Sequence, residues 1–215
     1  MRTLTAPDRP PTTGRPAARG RWIWTLTGLA TVGLLAWPVV ALISAAGNGG
    51  QGEFVTATPT MTRTVTVTQP VSSLSVVSYG APIRITAGPV HQVTVTEAIS
   101  YPGPVQPPSV TAAVSDGRLT LDAPACATTG CSVGFTVAVP TGVAVTAESD
   151  DGGIDVAGVA GANLDSDGGA VQVSHIDGPL TISSEDGGIT VADVTAPSGT
   201  NLDSGGGPIQ VGRVT

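Results

Sequence analysis

The chain has 215 residues with 18 Pro, 29 Gly and only 3% aromatic residues, which excludes an ordinary deep-cored globule. Its formal net charge is −7, Lys is absent, and five of the nine Arg precede residue 22. The remainder sets four Arg against fifteen acids. That is the opposite of the basic stripe nucleic acid requires, so no nucleic-acid partner is expected.

Residues 1–21 are rich in Pro and Arg without an apolar period, and a disordered tail is expected there. Trp22–Ala46 follows, 25 residues without a charge. At about 1.5 Å per residue it exceeds the roughly 30 Å of hydrocarbon in a bilayer. Arg19 and Arg21 stop it on one side, and Trp22 and Trp24 sit where an interfacial aromatic belt belongs. Pro38 is a kink that membrane helices tolerate. One transmembrane helix is expected over 22–46, with the Arg-rich tail cytoplasmic and everything after Gly47 outside. The other reading is a cleaved secretory signal with Ser44-Ala45-Ala46 as the cleavage site, although the run is longer than the usual 7–15-residue apolar region. No Cys follows it, which excludes a bacterial lipoprotein. Both readings place the rest of the chain beyond the cytoplasmic membrane.

Residues 47–62 are expected to form a flexible stalk, and 63–215 an all-β domain. Arg63–Thr68 alternates and suits a first strand. Ser73–Ser78, a turn at Tyr79-Gly80, Ile83–Thr86 and Gln92–Glu97 follow, the last with Val93 and Val95 on one face. Tyr101–Pro108 is a Pro-rich loop. Val110–Val114 and Arg118–Leu121 flank Ser115-Asp116-Gly117 as a hairpin. Cys126 and Cys131, the only cysteines, have four residues between them. In an oxidising compartment they are expected to form a disulfide, stabilising by roughly 2 kcal/mol on loop entropy. Val133–Val139 is a strand and Pro140-Thr141-Gly142 a turn.

From Val145 one phrase is written four times. VTAESDDGGIDV (Val145–Val156) and LTISSEDGGITV (Leu180–Val191) are identical at seven of twelve positions. NLDSDGGAVQV (Asn163–Val173) and NLDSGGGPIQV (Asn201–Val211) are identical at eight of eleven. The two forms alternate, with repeats of 35 and 38 residues, so each line averages 18 to 19. That length suits one turn of a β-solenoid. Each line has an apolar residue before a Gly-Gly corner (Val145, Leu164, Ile182, Leu202) and branched residues after it that should stack inside. The expected fold is a β-helix-like solenoid with one short strand per rung, its glycines supplying positive φ at the corners.

At this point the chain resembles a bacterial family common in actinobacteria and labelled "putative adhesin", a domain of unknown function. The residues that carry the resemblance are Arg63–Val67, Leu74–Ile85, Gly117–Leu121, Cys126…Cys131-Ser-Val, Val137–Val143 and the Gly-punctuated lines to Val211. It covers about residues 63–215. It implies a stack of short β-rungs, often tethered by one transmembrane helix, and it brings no catalytic residues.

Stacking would put Asp151, Asp167 and Asp186 in one column and Asp165 and Asp203 in a second, with rungs about 4.8 Å apart. Such carboxylates are either solvated on an exposed corner or hold Ca²⁺. The calcium-binding repeat-toxin spacing is absent and Gly205 breaks the column, so solvated turns are expected and no metal or cofactor is assigned. Carboxylate-lined β-helices that cleave polysaccharides need long loops and sugar-stacking aromatics, which these rungs lack. His91 and His175 stand alone, and Ser174 beside His175 points to the opposite face of a strand. No enzyme is expected. Two functions remain: a membrane-anchored binding, adhesion or scaffolding module of the cell envelope, or the ectodomain of a sensory envelope-stress system. Expected partners are the membrane through Trp22–Ala46, and an envelope protein or a second copy through the C-terminal edge, where only Arg213 and Pro208 discourage strand pairing.

Overall fold

Branched apolar residues at every second position, interleaved with Ser, Thr and Asn, have period two, and such segments form strands. The computed structural model describes residues 60–102, 106–123, 125, 129–195 and 199–215, all within the unit Gly33–Thr215. The expected tail, membrane span and most of the stalk lie outside the described residues, as does Cys126. Among the described residues there is no helix. The strands are β1 (Thr60–Val67), β2 (Ser73–Ser78), β3 (Ile83–Gly88), β4 (Val93–Ser100), β5 (Thr111–Ser115), β6 (Arg118–Asp122), β7 (Ser132–Pro140), β8 (Ala144–Ser149), β9 (Ile154–Ala157), β10 (Gly161–Ser166), β11 (Val171–Asp177), β12 (Leu180–Ser184), β13 (Ile189–Thr195), β14 (Thr200–Ser204) and β15 (Ile209–Val211).

They form two mixed sheets, ordered β1-β4-β7-β3-β9-β11-β13-β15 and β14-β12-β10-β8-β2-β6-β5. Among the named strands, antiparallel pairing is confined to β1-β4-β7 and to the β5–β6 hairpin, with one isolated antiparallel bridge between Tyr79 and Val133. That hairpin turns through Asp116 (φ 51°) and Gly117 (φ 74°), the two successive left-handed residues its Asp-Gly sequence favours. From β8 on, consecutive strands alternate between the sheets, and each pairs in parallel with the strand two places on. The expectation of one strand per line is therefore corrected. Each line carries two strands, one in each sheet, because the residues before the corner alternate as regularly as those after it. Val145 pairs with Ala162, Leu180 with Ala162, and Thr200 with Leu180. These steps of 17, 18 and 20 residues, taken in adjacent pairs, reproduce the 35- and 38-residue repeats.

The inward positions of both sheets make one continuous core. In the repeat it contains Val145, Ala147, Ile154, Val156, Leu164, Val171, Val173, Leu180, Ile182, Ile189 and Val191, all buried. A fully buried Val, Leu or Ile is worth about 1.5–3 kcal/mol, so thin aliphatic stacks can replace the missing aromatics. In the first three lines the phase slips once, towards or just past the end of the strand that follows the corner. Gly158 (φ 76°), His175 (φ 55°) and Asp193 (φ 52°) occupy equivalent left-handed positions, and the next residue, Val159, Ile176 or Val194, turns back inward. One extra residue in a left-handed conformation is how a bulge resets the facing of a strand.

The corner glycines work differently from expectation. None of Gly152, Gly153, Gly168, Gly169, Gly187, Gly188, Gly206 or Gly207 has positive φ. What they lack matters instead: a Cβ at Gly152 would run into Ala81 O, one at Gly169 into the backbone of Gly152, one at Gly187 into Gly169 O, and one at Gly207 into Gly187 O. Backbone lies directly on backbone at this corner, with no room for a side chain.

Candidate functional site

Each line's first strand ends in a serine, and register stacks Ser149, Ser166, Ser184 and Ser204 with Ser78 of β2. The column points inward, and Ser78, Ser149, Ser166 and Ser184 are buried. Ser166 Oγ donates to Gly169 O (2.9 Å), Ser184 Oγ to Gly187 O (2.9 Å) and Ser204 Oγ to Gly207 O (2.8 Å). Gly169 N and Gly207 N donate back to Ser166 Oγ and Ser204 Oγ at 3.1 and 3.0 Å. Ser78 Oγ lies 2.8 Å from Ala81 O and 2.6 Å from Val133 O, and has one proton for the two carbonyls. Ser149 Oγ is buried without a partner. The hydroxyls of Ser166, Ser184 and Ser204 each tie a corner to its own strand, a local side-chain-to-backbone turn of the kind Ser favours.

The acids ride on the solvent side of this corner. Asp167 N donates to Ser149 O, Gly168 N to Asp150 O, Glu185 N to Ser166 O and Asp186 N to Asp167 O. Asp150, Asp167 and Glu185 thus follow one another, with Gly205 next. Gly168 lies over Asp151, and Gly206 over Asp186. The expected single column of Asp151, Asp167 and Asp186 is corrected: Asp167 belongs to the neighbouring column, and glycine separates the other two. The cause is register. The lines align on Ser, as Ser-x-x-Gly, rather than on the Gly-Gly pair, which is displaced by one residue between the two forms. Asp165 and Asp203 do share a column, but Ser183 stands between them and Glu148 pairs with Asp165 on the other side. Among the described residues no three of His, Cys, Asp and Glu converge in a way that could hold a metal ion.

His91 stands exposed before β4. His175 Nε2 lies 3.9 Å from Asp193 Oδ2 on the next line, both side chains well exposed, and Arg213 follows on the line after. An open cavity of about 810 Å³ runs beside this corner, lined by His175, Asp177, Asp193, Thr195, Arg213 and Thr215 among others. Arg84 Nε donates to Asp155 Oδ2 at 3.3 Å. Both are roughly half exposed or more, and such a pair is worth about 1 kcal/mol at most.

One group stands apart. Glu97 on β4 points inward beside its register partners Arg63 of β1 and Phe135 of β7, and it is buried with Oε2 unpartnered. Burial pushes its carboxyl above the ordinary glutamate range, against the pull of the Arg63 guanidinium. Its position was legible in sequence, since Glu97 continues the face of Val93 and Val95. The Ser-x-x-Gly spacing, common to all four lines, was the unread signal for the serine column.

No protein-family model matches the chain, and no curated protein sequence matches it. Its fold is shared with a solved structure from Clostridium sporogenes, described as a "putative cell adhesion protein". The two are 10% identical with a TM-score of 0.54, and the match covers 74% of this chain and 100% of that one. A "putative adhesin" from Parabacteroides distasonis is 13% identical with a TM-score of 0.39, over 74% of this chain and 79% of that one. At 10% identity the likeness to the Clostridium structure speaks for the fold alone.

Proposed function

We propose that the chain is a non-catalytic adhesion or scaffolding module of the bacterial cell envelope, its repeated part coiled as a β-solenoid and held outside the membrane by Trp22–Ala46. The coil is supported by the alternation of β8 to β15 between two sheets with a constant parallel partner two strands on. The outside location rests on the uncharged span and the Arg-rich residues before it. Adhesion is the role named for the Clostridium protein that shares the fold.

The observation that carries the reading is a pair of unbroken polar rows on the outer faces. On one sheet Thr120, Ser75, Thr146, Asn163, Thr181 and Asn201 stand side by side in register. On the other, Arg84, Asp155, Gln172, Thr190 and Gln210 do the same. Polar side chains spaced about 4.8 Å apart along each sheet make a hydrogen-bonding surface suited to lie along an extended partner rather than to enclose a small substrate. The test is binding of the fluorescently labelled ectodomain to isolated envelopes, with Thr181→Arg and Thr190→Arg on the two faces. Saturable binding lost in at least one variant is expected. Absent binding, or binding indifferent to both changes, overturns the reading.

A further inference from the structure

Two features meet at the first strand. Glu97 lies on the inward face of β4 and is buried, with Oε2 unpartnered. Its neighbours on that face of β4 are Val95 and Ile99, and β7 sets Val133, Phe135 and Val137 beside them, all apolar and buried. β5 has no charged residue, and β6 buries Leu119 and Leu121 while its Arg118 and Asp122 are exposed. Among the described residues, Arg63 of β1, its register partner, is the one charge that acts on Glu97. The second feature is how little holds β1. It is the edge of its sheet, paired with β4 alone. Thr60–Thr64 is exposed throughout, Met61 and Arg63 on the inward face included, and only Val65 and Val67 reach the core. The first half of the strand is therefore held by its ladder to β4 and by two hydroxyl contacts, Thr64 Oγ1 to Thr96 Oγ1 at 3.3 Å and Thr60 Oγ1 to Ser100 Oγ at 3.4 Å.

We propose that Thr60–Thr64 is a pH-operated strand end, which lies on β4 while Glu97 is neutral and lifts away when Glu97 ionises. A carboxylate set among Val95, Ile99 and Phe135, with no donor for Oε2, has lost its hydration without replacement. The fold restores water to it most readily where the fewest buried contacts break. On the β7 side that means parting fully buried apolar residues. On the β1 side it means opening one edge ladder over residues that bury no side chain. Desolvation outweighs the pull of Arg63, so the closed form holds the Glu97 proton more tightly than an open form in which the carboxyl meets water. Closure is therefore favoured in acid and is lost as pH rises through the raised value. Opening bares the backbone groups of β4 from Thr96 to Ser100, a strand-pairing edge that the closed form covers. It also frees up to about 17 Å of chain ahead of the domain. That such slack lengthens a membrane tether rests on the anchored reading; the opening itself does not.

The test is hydrogen exchange of the full chain in mild detergent from about pH 5 to about pH 8, read by mass spectrometry as protection factors, which remove the intrinsic pH dependence of exchange. Protection of β1 should lie at least about tenfold below that of β7 at every pH, the mark of local opening. In the native chain it should fall with pH by up to about tenfold per unit, the slope of one linked proton. Glu97→Gln keeps the shape of the neutral side chain and cannot ionise, so its β1 protection should stay at the acid value throughout. Trypsin gives a second readout: measured against an unstructured arginine substrate at the same pH, cleavage after Arg63 should quicken with pH in the native chain and not in Glu97→Gln. Protection of β1 that is flat with pH in the native chain overturns the proposal whatever the variant does. A fall that Glu97→Gln retains overturns it too, as does β1 protection equal to that of β7, which would mean that the whole domain opens.

Discussion

Replacing Gly169 by Ala separates two reasons for glycine at a corner. Its φ is not positive, so alanine meets no conformational penalty there. The new Cβ would, however, press into the Gly152 carbonyl and lie 2.5 Å from Gly153 N, about 0.9 Å inside the 3.4 Å of ordinary contact. Both neighbours are backbone and cannot swing aside, so the two lines must part. Three hydrogen bonds hold them at that place: Asp167 N to Ser149 O (3.1 Å), Gly168 N to Asp150 O (2.8 Å) and Ile154 N to Ala170 O (3.0 Å). Opening by about 0.9 Å stretches all three beyond useful range, at about 1 kcal/mol each, for a loss of about 3 kcal/mol. Gly142→Ala is the control. It has φ of 89° and nothing within 4 Å of the new Cβ. Its cost is the left-handed penalty of roughly 1–2 kcal/mol, less about 0.4–1 kcal/mol from a stiffer unfolded chain, a gain both variants share. Urea unfolding of the β-domain at constant m-value measures the difference. If Gly169→Ala costs no more than Gly142→Ala, close backbone approach is not why these corners are glycine.

Ile189→Asp buries a charge in the core and should cost several kcal/mol, whereas Thr190→Asp on the outer face should stay within about 0.5 kcal/mol; equal tolerance in urea melts would mean the faces are misassigned. Burial holds Glu97 above the ordinary glutamate range, so the folded state binds its proton more tightly than the unfolded chain. Stability should therefore fall as pH rises from about 4.5 through the raised value, and Glu97→Gln should be more stable than the native chain at neutral pH and converge with it in acid; a variant less stable at every pH refutes this. The Cys126–Cys131 bridge should appear in mass spectra as a peptide lighter by two hydrogens, and the double Cys→Ser variant should fold with a loss of roughly 2 kcal/mol; two alkylatable thiols would rule the bridge out. A cysteine at Ser72 should react with a membrane-impermeant maleimide in intact cells, and labelling only after lysis would reverse the topology.

Period-two alternation made most strands visible from side chains alone, and the hairpin through Asp116-Gly117 could be read because its turn needs two left-handed residues. What stayed hidden was set by contacts between lines. Nothing in Val145–Val156 alone says that its two halves belong to different sheets; that follows only when Ala144–Ser149 finds Gly161–Ser166 and Ile154–Ala157 finds Val171–Ser174. The bulge at His175 and Asp193 was equally silent, since neither residue favours positive φ strongly enough to announce it.

The acidic corner shows why a repeat must be aligned on the residue that bears the structural constraint. Gly-Gly is the more conspicuous pair, and aligning on it stacks Asp151, Asp167 and Asp186 into a ready-looking cation site. Only the first glycine of Ser-x-x-Gly is pinned, by the backbone beneath it in all four lines and, at Gly169, Gly187 and Gly207, also by the hydroxyl three residues before it. The second position of the pair is free to be Gly153, Ala170, Gly188 or Pro208, which is the variation the four lines display. Aligned on serine, Asp150, Asp167 and Glu185 follow one another up to Gly205, while Gly168 separates Asp151 from Asp186 in the second column. Between Asp151 and Asp186 the glycine relieves the like-charge repulsion that strands about 4.8 Å apart would impose, whereas the acids of the first column rely on their solvent-facing position.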